Sequence, residues 1–467
     1  MDAYSIRQNP ARENHGGPLL LTSAVVAALG SFLFGFDTAV IAGTTERLQE
    51  LYSLSDSLKG FTVASALIGT LFGALLVGRF SDRWGRQPVL TALAGFYLVS
   101  AVGCGLAWNW WSLLFFRWLG GIGVGGASVV SPMYITEIAP PRRRGLLVAV
   151  SQLNIVVGIL AAYFSNYFVA RRLGAEHPDA WRWMFGVEAI PAMAFLLASL
   201  RIPESPRWLV KKGWISQAEE VLIRFGHENP AGEVDEISAS LASDRAQGHQ
   251  HLLQRKYLRP LLLAAMIAAF NQLDGINAVI YYTTDIFRMA GLDKTSALKQ
   301  SVIIGATNLT MTVLAMAVID RVGRKSLLLA GSVTFVLSHA LAAWVFHTHA
   351  QGWIVLVAMM GIVGSHAYSQ GAVVWVCINE LLPNAVRAAG SAAACFLIWL
   401  LCIGVTWGFP IVAGKPTDPA ATGTSAAPAF AFFAVMMVVQ FVLVWKYLPE
   451  TKGVSLEELQ KRLSVED

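Results

Sequence analysis

The stretch Asp82-Arg-Trp-Gly-Arg86 occurs a second time in the chain, as Asp320-Arg-Val-Gly-Arg324. Two further motifs recur in the same order and at nearly the same displacement. They are an acid–proline–arginine set, in which Glu137, Pro140 and Arg144 match Glu380, Pro383 and Arg387, and a dipeptide, in which Pro203-Glu204 matches Pro449-Glu450. Three ordered repeats indicate internal duplication, and they predict two similar halves related by an axis along the membrane normal.

The composition is that of a membrane protein. Of the 467 residues, 55% are hydrophobic and only 14% are charged, whereas about a quarter of the residues in a soluble domain are charged. The charges are grouped between apolar runs of about 20 residues, the length with which a helix crosses a bilayer. Outer-membrane barrels instead show alternating segments of roughly 10 residues. We therefore predict an all-α polytopic membrane protein.

Twelve apolar segments are long enough to span a membrane as helices. They cover residues 18–43, 59–78, 88–107, 110–134, 146–169, 182–200, 259–286, 297–319, 325–346, 353–379, 386–413 and 426–447. The predicted order is a tail (1–17), a first half of six spans (18–202), a hydrophilic linker (203–257), a second half of six spans (258–447) and a tail (448–467). Within the linker, residues 215–225 have the pattern of a short amphipathic helix.

The basic residues predict the orientation. An even number of spans puts both termini on one side, and the side richer in lysine and arginine is usually cytoplasmic. On that side lie Arg83, Arg86, the arginines at 142–144, Arg321, Arg324 and Lys325. Arg171, Arg172 and Arg182 fall on the other side and weaken the bias without reversing it. We expect a cell-membrane protein with both termini cytoplasmic, and because orientation accounts for the basic residues we expect no nucleic-acid partner.

The remaining apparent signals have simple explanations. The four cysteines lie in apolar segments without metal-ligand or redox spacing, and we expect neither a metal nor a cofactor. Gly121-Ile-Gly-Val-Gly-Gly126 fits a dinucleotide-binding pattern, but it lies within a span and follows no strand. The spacing of Gly121 and Gly125 instead predicts close helix packing.

The seventh span carries polar residues where apolar ones are expected, in Asn271-Gln-Leu-Asp-Gly-Ile-Asn-Ala-Val-Ile-Tyr-Tyr282. On a regular helix Gln272 and Asn277 would lie roughly 140° apart. They can line one cavity only if the helix breaks, and Gly275 between them permits a break. Broken spans with polar residues near mid-membrane are typical of the solute site of a transporter. The alternative is a set of polar contacts between packed helices.

The combination of motifs resembles one family. Together with the repeats, Gly78-Arg-Phe-Ser-Asp-Arg-Trp-Gly-Arg86, Pro203-Glu-Ser-Pro-Arg-Trp-Leu209 and Pro449-Glu-Thr-Lys-Gly453 resemble the sugar porter family of the major facilitator superfamily. The resemblance covers nearly the whole chain, and it looks closest to bacterial proton-coupled pentose and hexose symporters. It implies the major facilitator fold of two pseudo-symmetric six-helix bundles.

Asp37 and Arg117 lie inside the first and fourth spans. A lone ionised carboxylate there is costly, so Asp37 should be paired or hold a proton. In the family the symporters tend to carry an acid at this place, and the resemblance implies that Asp37 and Arg117 pair in one state, separate in the other and couple protons to opening. The alternative is a permanent structural ion pair.

The resemblance also implies a sugar site and an outer gate. The amides Gln152, Asn271, Gln272 and Asn277 would hydrogen-bond sugar hydroxyls, since an amide offers donors and an acceptor without charge. Trp375 and Trp399 would supply flat apolar surface for the ring. Tyr281 and Tyr282 match residues that close over the substrate from outside.

The repeated charged residues at span ends would form a cytoplasmic latch. In the family such clusters hold the halves together when the cavity opens outward and part when it opens inward. The set comprises Asp82, Arg83, Arg86, Glu137, Arg144, Glu204, Arg207, Asp320, Arg321, Arg324, Glu380, Arg387 and Glu450. The alternative is solvated loop charge that only determines topology, although the duplicated spacing argues against it.

One departure from the family pattern and one further residue lie near the predicted site. Asp274 replaces a usual small hydroxyl residue and is either a second titrating group or simply paired. His366, in span ten, either faces the cavity or is packed or paired, and we favour the second interpretation.

We therefore predict a carrier that imports a monosaccharide, a hexose or a pentose, with a proton by alternating access. Its partners would be the sugar, the proton and the bilayer, and it would work as a monomer. One alternative is a facilitative uniporter, which needs no proton. Another is a sugar sensor, although sensors usually have a long cytoplasmic tail. An enzyme is disfavoured because no loop carries a catalytic acid pair, a nucleophile set or a metal cluster.

Overall fold

The computed structural model describes residues 16–140, 144–246, 252, 254–350, 353–414, 426–452, 454 and 458–459. The side chains of Arg144 and Asp320, and most of both predicted tails, lie outside the described residues. What it describes is almost entirely helical.

The α-helices follow the predicted order along the chain. In the first half they are α1 (Gly16–Val40), α2 (Thr45–Leu51), α3 (Asp56–Trp84), α4 (Arg86–Gly105), α5 (Trp110–Ile138), α6 (Arg144–Leu173), α7 (Ala180–Gly186) and α8 (Ala189–Ser199). The linker contributes α9 (Pro206–Lys211), α10 (Ile215–Phe225) and α11 (Pro230–Ala246). The second half contains α12 (Leu258–Leu273), α13 (Ile276–Tyr281), α14 (Thr283–Met289), α15 (Lys294–Val322), α16 (Arg324–Thr348), α17 (Trp353–Tyr368), α18 (Gln370–Leu381), α19 (Arg387–Ala413) and α20 (Ala427–Tyr447).

Within the described residues, eleven helical segments are long and apolar enough to cross a membrane, and each overlaps a predicted span. The sixth predicted span, 182–200, is divided between α7 and α8, which are separated by Val187 and Glu188. Their 7 and 11 residues are each too few to cross alone. The twelve predicted segments are thus all helical, but the sixth is built from two short helices.

Two other spans are broken, one as predicted. The seventh stops at Leu273 and resumes at Ile276, with Gly275 at φ +77° between them. A side chain would be strained at that φ and would also meet the ring of Phe433, so a glycine is required. The tenth span is interrupted at Ser369, between α17 and α18, a break that the sequence analysis did not predict.

The linker packs on the first half. The predicted amphipathic helix at 215–225 is confirmed as α10, and its buried Leu222 and Phe225 belong to the same core as Tyr134 in α5. Trp208 in α9 donates its indole N–H to the carbonyl oxygen of Asp82 at 3.1 Å. We call the side of the bundle that carries α9–α11 the linker face, and the opposite side, with α2 and α14, the far face.

Three apolar cores hold the molecule together. One lies in the first half and the linker, and one, towards the linker face, in the second half. The third contains residues of both halves, among them Phe36, Tyr163, Tyr282 and Phe430. Apolar packing is therefore continuous between the halves through this third core, which lies towards the far face.

Close packing of α3 on α5 depends on glycine. A Cβ at Gly121 would overlap the carbonyl oxygen of Ala66, and one at Gly125 would overlap that of Thr70. Reciprocally, a Cβ at Gly69 or Gly73 would meet the backbone of α5. The packing interpretation of Gly121 and Gly125 is confirmed.

We expect Gly125→Ala to lower the stability of the purified protein in detergent. The new methyl group must push two backbones apart, at a cost of about 1–3 kcal/mol. Gly95→Ala is the matched control, because a Cβ at Gly95 in α4 meets nothing within 4 Å. Thermal unfolding should show a lower midpoint for Gly125→Ala only, and equal midpoints for the two variants would contradict the packing argument.

Candidate functional site

The break in the seventh span brings together the amides that a regular helix would keep apart. Asn277 donates its Nδ2–H to Gln272 Oε1 at 2.6 Å, and Gln272 donates its Nε2–H to Asn271 Oδ1 at 2.8 Å. Gln272 is buried, whereas Asn271 and Asn277 are half-buried. The three residues form one chain of hydrogen-bonding groups, which we call the amide cluster.

The other residues predicted for this site lie on three different helices. Trp375 in α18 is 42% exposed. Trp399 in α19 is buried and packs across the halves against Phe34, with ring centroids 5.9 Å apart. Gln152 in α6 is half-buried, and among the described contacts no hydrogen bond joins it to the amide cluster. The structure thus assembles the second-half amides but does not link Gln152 to them.

Asp37 and Arg117 face each other inside the first half. Arg117 Nη1 lies 3.5 Å from Asp37 Oδ1, and the side chains are 0% and 7% exposed, respectively. None of the three guanidinium nitrogens makes a hydrogen bond to the described residues. The guanidinium also lies over the Phe185 ring, 5.6 Å from its centroid. The ion pair is therefore buried but loosely made.

Glu188 belongs to this cluster, and the sequence analysis missed it. It sits between α7 and α8, is 2% exposed, and its carboxylate interacts electrostatically with Asp37 and Arg117. The available signal was an acid in the middle of the sixth apolar segment. Two buried carboxylates thus accompany one arginine, and this buried cluster carries a net negative charge unless one of the acids holds a proton.

The tyrosines that follow the amide cluster are buried and anchored. Tyr282 donates its hydroxyl to the carbonyl oxygen of Thr406 at 3.0 Å and stacks on Phe409. The neighbouring carbonyl of Ile280 accepts the hydroxyl of Tyr163, from the first half, at 2.8 Å. Residues on both sides thus restrain α13, with Tyr281 buried at its end.

Polar contacts join the two halves on the far face. Lys59 Nζ lies 2.8 Å from Asp285 Oδ2, and both side chains are buried, at 4% and 1% exposure. Thr45 donates its hydroxyl to Asp285 Oδ1 at 3.0 Å, and Arg288 pairs with Glu46 at 3.2 Å. These residues were also missed, although Asp285 was a visible acid inside the predicted seventh span. We call the Lys59–Asp285 pair the far-face bridge.

On the linker face the repeated charges form the same cluster twice. In the first half Arg86 pairs with Glu137 at 2.8 Å, and its backbone N–H donates to Glu204 Oε1 at 2.8 Å. In the second half Arg324 pairs with Glu380 at 3.3 Å, and its backbone N–H donates to Glu450 Oε1 at 2.9 Å. Burial raises the pKa of the Glu204 carboxyl. Each of these contacts stays within one half.

The other residues assigned to the latch have varied surroundings. Asp82 pairs with Arg86 and with Lys211, and Arg207 lies within 3.4 Å of the Ser240 hydroxyl. Arg387 donates to the carbonyl oxygen of Leu382. Arg83 and Arg321 are exposed.

Asp274 and His366 are paired with each other. His366 Nδ1 lies 2.7 Å from Asp274 Oδ2. The interpretation of His366 as a paired residue is therefore confirmed. Among the described residues no group of three His, Cys, Asp or Glu side chains could hold a metal ion.

Comparisons with known proteins cover almost the whole chain. A family model described as "Sugar (and other) transporter" matches residues 23–463. The chain is 37% identical to the D-xylose-proton symporter of Escherichia coli (strain K12) over 94% of this chain and 95% of that protein. It is 34% identical to the arabinose-proton symporter of Bacillus subtilis (strain 168), over 97% of each chain.

A solved structure is similar over the same length. The xylose transporter XylE from E. coli, in a partially occluded inward open conformation, matches with a TM-score of 0.82 and 35% identity. The match covers 94% of this chain and all of that one, at 100%.

We expect Asp285→Asn to separate the two halves on the far face. It leaves the buried Lys59 ammonium without its countercharge, and removing one partner of a buried ion pair costs about 3–5 kcal/mol. Spin labels are attached to cysteines introduced at Leu51 and Val412, one in each half. Pulsed electron paramagnetic resonance should show a new population at longer distance between the two labels.

Glu50→Gln is the matched control for this experiment. It neutralises an acid on the same face whose pair with Arg47 is exposed, at 59% for the glutamate, and such pairs contribute little. An Asp285→Asn distance distribution identical to that of Glu50→Gln would show that the far-face bridge does not hold the halves together.

Proposed function

Because this chain belongs to the sugar (and other) transporter family, we propose that it imports a monosaccharide together with a proton by alternating access. The observation that carries the proposal is the amide cluster, which stands at a helix break inside the membrane-spanning region. The first-half acids Asp37 and Glu188 are buried beside one arginine. One half thus supplies hydrogen-bonding groups without charge and the other supplies groups that can take a proton.

The amide cluster suits the recognition of sugar hydroxyls. With no sugar, Asn271, Gln272 and Asn277 hydrogen-bond to one another. A sugar hydroxyl both donates and accepts, so it can replace these bonds without leaving a buried polar atom unpaired. In the proposed bound state Gln152 completes the hydrogen bonding, Trp375 and Trp399 lie against the ring, and Tyr281 and Tyr282 close the site from the far face.

The contacts support an orientation and a state. We assign the linker face to the cytoplasm, since its arginines agree with the usual bias, and both termini to the same side. The halves share contacts on the far face, whereas each linker-face cluster is bonded within its own half. We therefore propose that this is the inward-facing state of the carrier, in which the cytoplasmic latch is parted and the outer gate is closed.

Proton coupling would act through Asp37. In this state Arg117 makes a loose pair with Asp37 and no hydrogen bond to any described residue, so the arginine is poised to change partners when the halves rock. Protonation of Asp37 would release Arg117 to Glu188. One proton moving across 100 mV provides about 2.3 kcal/mol, which supports roughly 50-fold accumulation of the solute.

The sugars in the names of the relatives indicate which substrates to test first. The relatives named above act on D-xylose and arabinose, which are pentoses. We therefore propose pentoses as the first substrates to examine, with D-glucose, D-galactose and a polyol as comparisons.

We expect the protein in liposomes to concentrate a labelled pentose when the outside is acidic, and a protonophore to abolish this accumulation. Asp37→Asn cannot release a proton, so it should lose accumulation while exchange of labelled for unlabelled sugar continues. Undiminished concentrative uptake by Asp37→Asn would refute the coupling role. Uptake by the unaltered protein that ignores both the pH difference and the protonophore would identify a facilitative uniporter.

We expect Asn277→Ala to weaken sugar binding about tenfold, because a lost hydrogen bond of about 1–1.5 kcal/mol corresponds to that factor. Equilibrium binding of radiolabelled D-xylose to the purified protein measures it. Gln87→Ala is the control, since this amide donates to the carbonyl oxygen of Ser199 on the linker face. Equal affinities for the two variants would remove Asn277 from the proposed site.

A further inference from the structure

A carboxylate–imidazole pair connects the two helix breaks of the second half. Asp274 directly precedes Gly275, where α12 gives way to α13, and His366 lies in the last turn of α17, next to the break at Ser369. Their side chains meet at 2.7 Å, between His366 Nδ1 and Asp274 Oδ2. One break carries the amide cluster and the other leads into α18 with Trp375. The pair therefore ties together the two elements that would form the second-half wall of the sugar site.

Asp274 itself is enclosed and fully bonded. Its side chain is 0% exposed, and its Oδ1 accepts the backbone N–H of Ile276 at 2.9 Å in an Asx turn that leads into α13. Its backbone carbonyl accepts the Nε2–H of His339 at 2.8 Å. A proton has no direct route to this carboxylate.

His366 supplies the missing route. Its side chain is 18% exposed, whereas that of Asp274 is 0% exposed. The imidazole contacts the carboxylate through Nδ1, and among the described contacts Nε2 makes no hydrogen bond, so Nε2 is the nitrogen left to take up a proton. This geometry lets a proton enter at Nε2 while Asp274 stays buried.

The surroundings offer Asp274 no permanent cation. The other titratable groups that face the pair are His339 on α16 and the Cys402 thiol on α19. His339 is packed among the rings of Phe335, Phe430 and Phe433. Among the described contacts of Asp274 there is no lysine or arginine, in contrast to Asp37. An uncompensated carboxylate in such a place is costly, and His366 is the neighbouring side chain that can supply a compensating charge.

We propose that Asp274 and His366 form a second proton-binding site, and that its occupancy controls sugar affinity at the neighbouring amide cluster. The coupling to sugar rests on the proposed function. Without the extra proton, neutral His366 donates its Nδ1–H to the Asp274 carboxylate and the pair carries one negative charge. Addition of one proton at Nε2 gives an imidazolium–carboxylate pair with no net charge.

The charge change reaches the sugar site through the backbone. In the imidazolium–carboxylate pair both partners are charged, so their hydrogen bond is stronger. This bond holds the α12–α13 break against the α17–α18 break. The amides and Trp375 then hold their relative positions before sugar binds. The free-energy cost of ordering these side chains on binding is therefore smaller. Sugar affinity should therefore be higher in acid, independently of Asp37.

The proton site can be tested without sugar. In the purified full-length protein with 15N-labelled histidine, the imidazole signal that disappears in His366→Gln is assigned to His366. We expect this signal to change protonation state between about pH 5 and pH 8, the range in which histidine works as a switch. In Asp274→Asn the chemical shift of this signal should change, because the hydrogen bond at Nδ1 loses its carboxylate partner. A His366 imidazole that keeps one protonation state across this range would overturn the proposal.

The coupling is tested by sugar binding in an Asp37→Asn background, which removes the proposed first proton site. Equilibrium binding of radiolabelled D-xylose should weaken about tenfold from pH 5.5 to pH 8, equivalent to about 1.4 kcal/mol. Adding His366→Gln should abolish this pH dependence, whereas adding His347→Gln, at an exposed histidine of α16, should not. A pH profile unchanged by His366→Gln would overturn the coupling. If none of the test sugars binds at any pH, the proposed function fails while the imidazole titration still decides the proton site.

Discussion

Inside a bilayer every interruption of a helix exposes backbone groups that lipid cannot satisfy, and this constraint governs the seventh span. At the Gly275 break, the Asp274 carboxylate accepts the N–H of Ile276 and His339 donates to the Asp274 carbonyl. Because side chains satisfy the freed backbone groups, the break is a defined structure. The amide cluster can then occupy mid-membrane positions that would otherwise be costly for polar side chains.

The linker-face clusters, which do not join the halves in this state, are similar in the two halves. The contacts that do join the halves involve different residues on each side. The arginine–glutamate clusters of the linker face are near copies, but each is bonded within its own half and so moves as part of it. Contacts between the halves involve unlike residues, such as Lys59 with Asp285. In this state the contacts between the halves are of the second kind, so we infer that the far-face bridge and the shared apolar core favour it over a state in which the halves have separated there.

Each half buries acids, with different partners. In the first half two carboxylates, Asp37 and Glu188, are buried with Arg117, which is always charged, and in the proposed mechanism they would compete for the arginine and for a proton. In the second half one carboxylate, Asp274, is paired with an imidazole that can itself gain a proton. The two proposed proton sites therefore differ in chemistry. One would exchange an arginine between acids, and the other would change the net charge of the pair.

Local patterns in the sequence were sufficient for the helical spans, the amphipathic helix at 215–225, the glycine packing of α3 on α5 and the break at Gly275. Each of these depends on residues within a few turns of one another, where helical geometry allows little choice. The far-face bridge, the position of Glu188 beside Asp37 and the pair formed by Asp274 and His366 were decided only by tertiary structure. The residues of each group are distant in the chain, and they meet because of how the helices pack and how the two halves are placed. The local periodicity of the sequence contains no information about this packing.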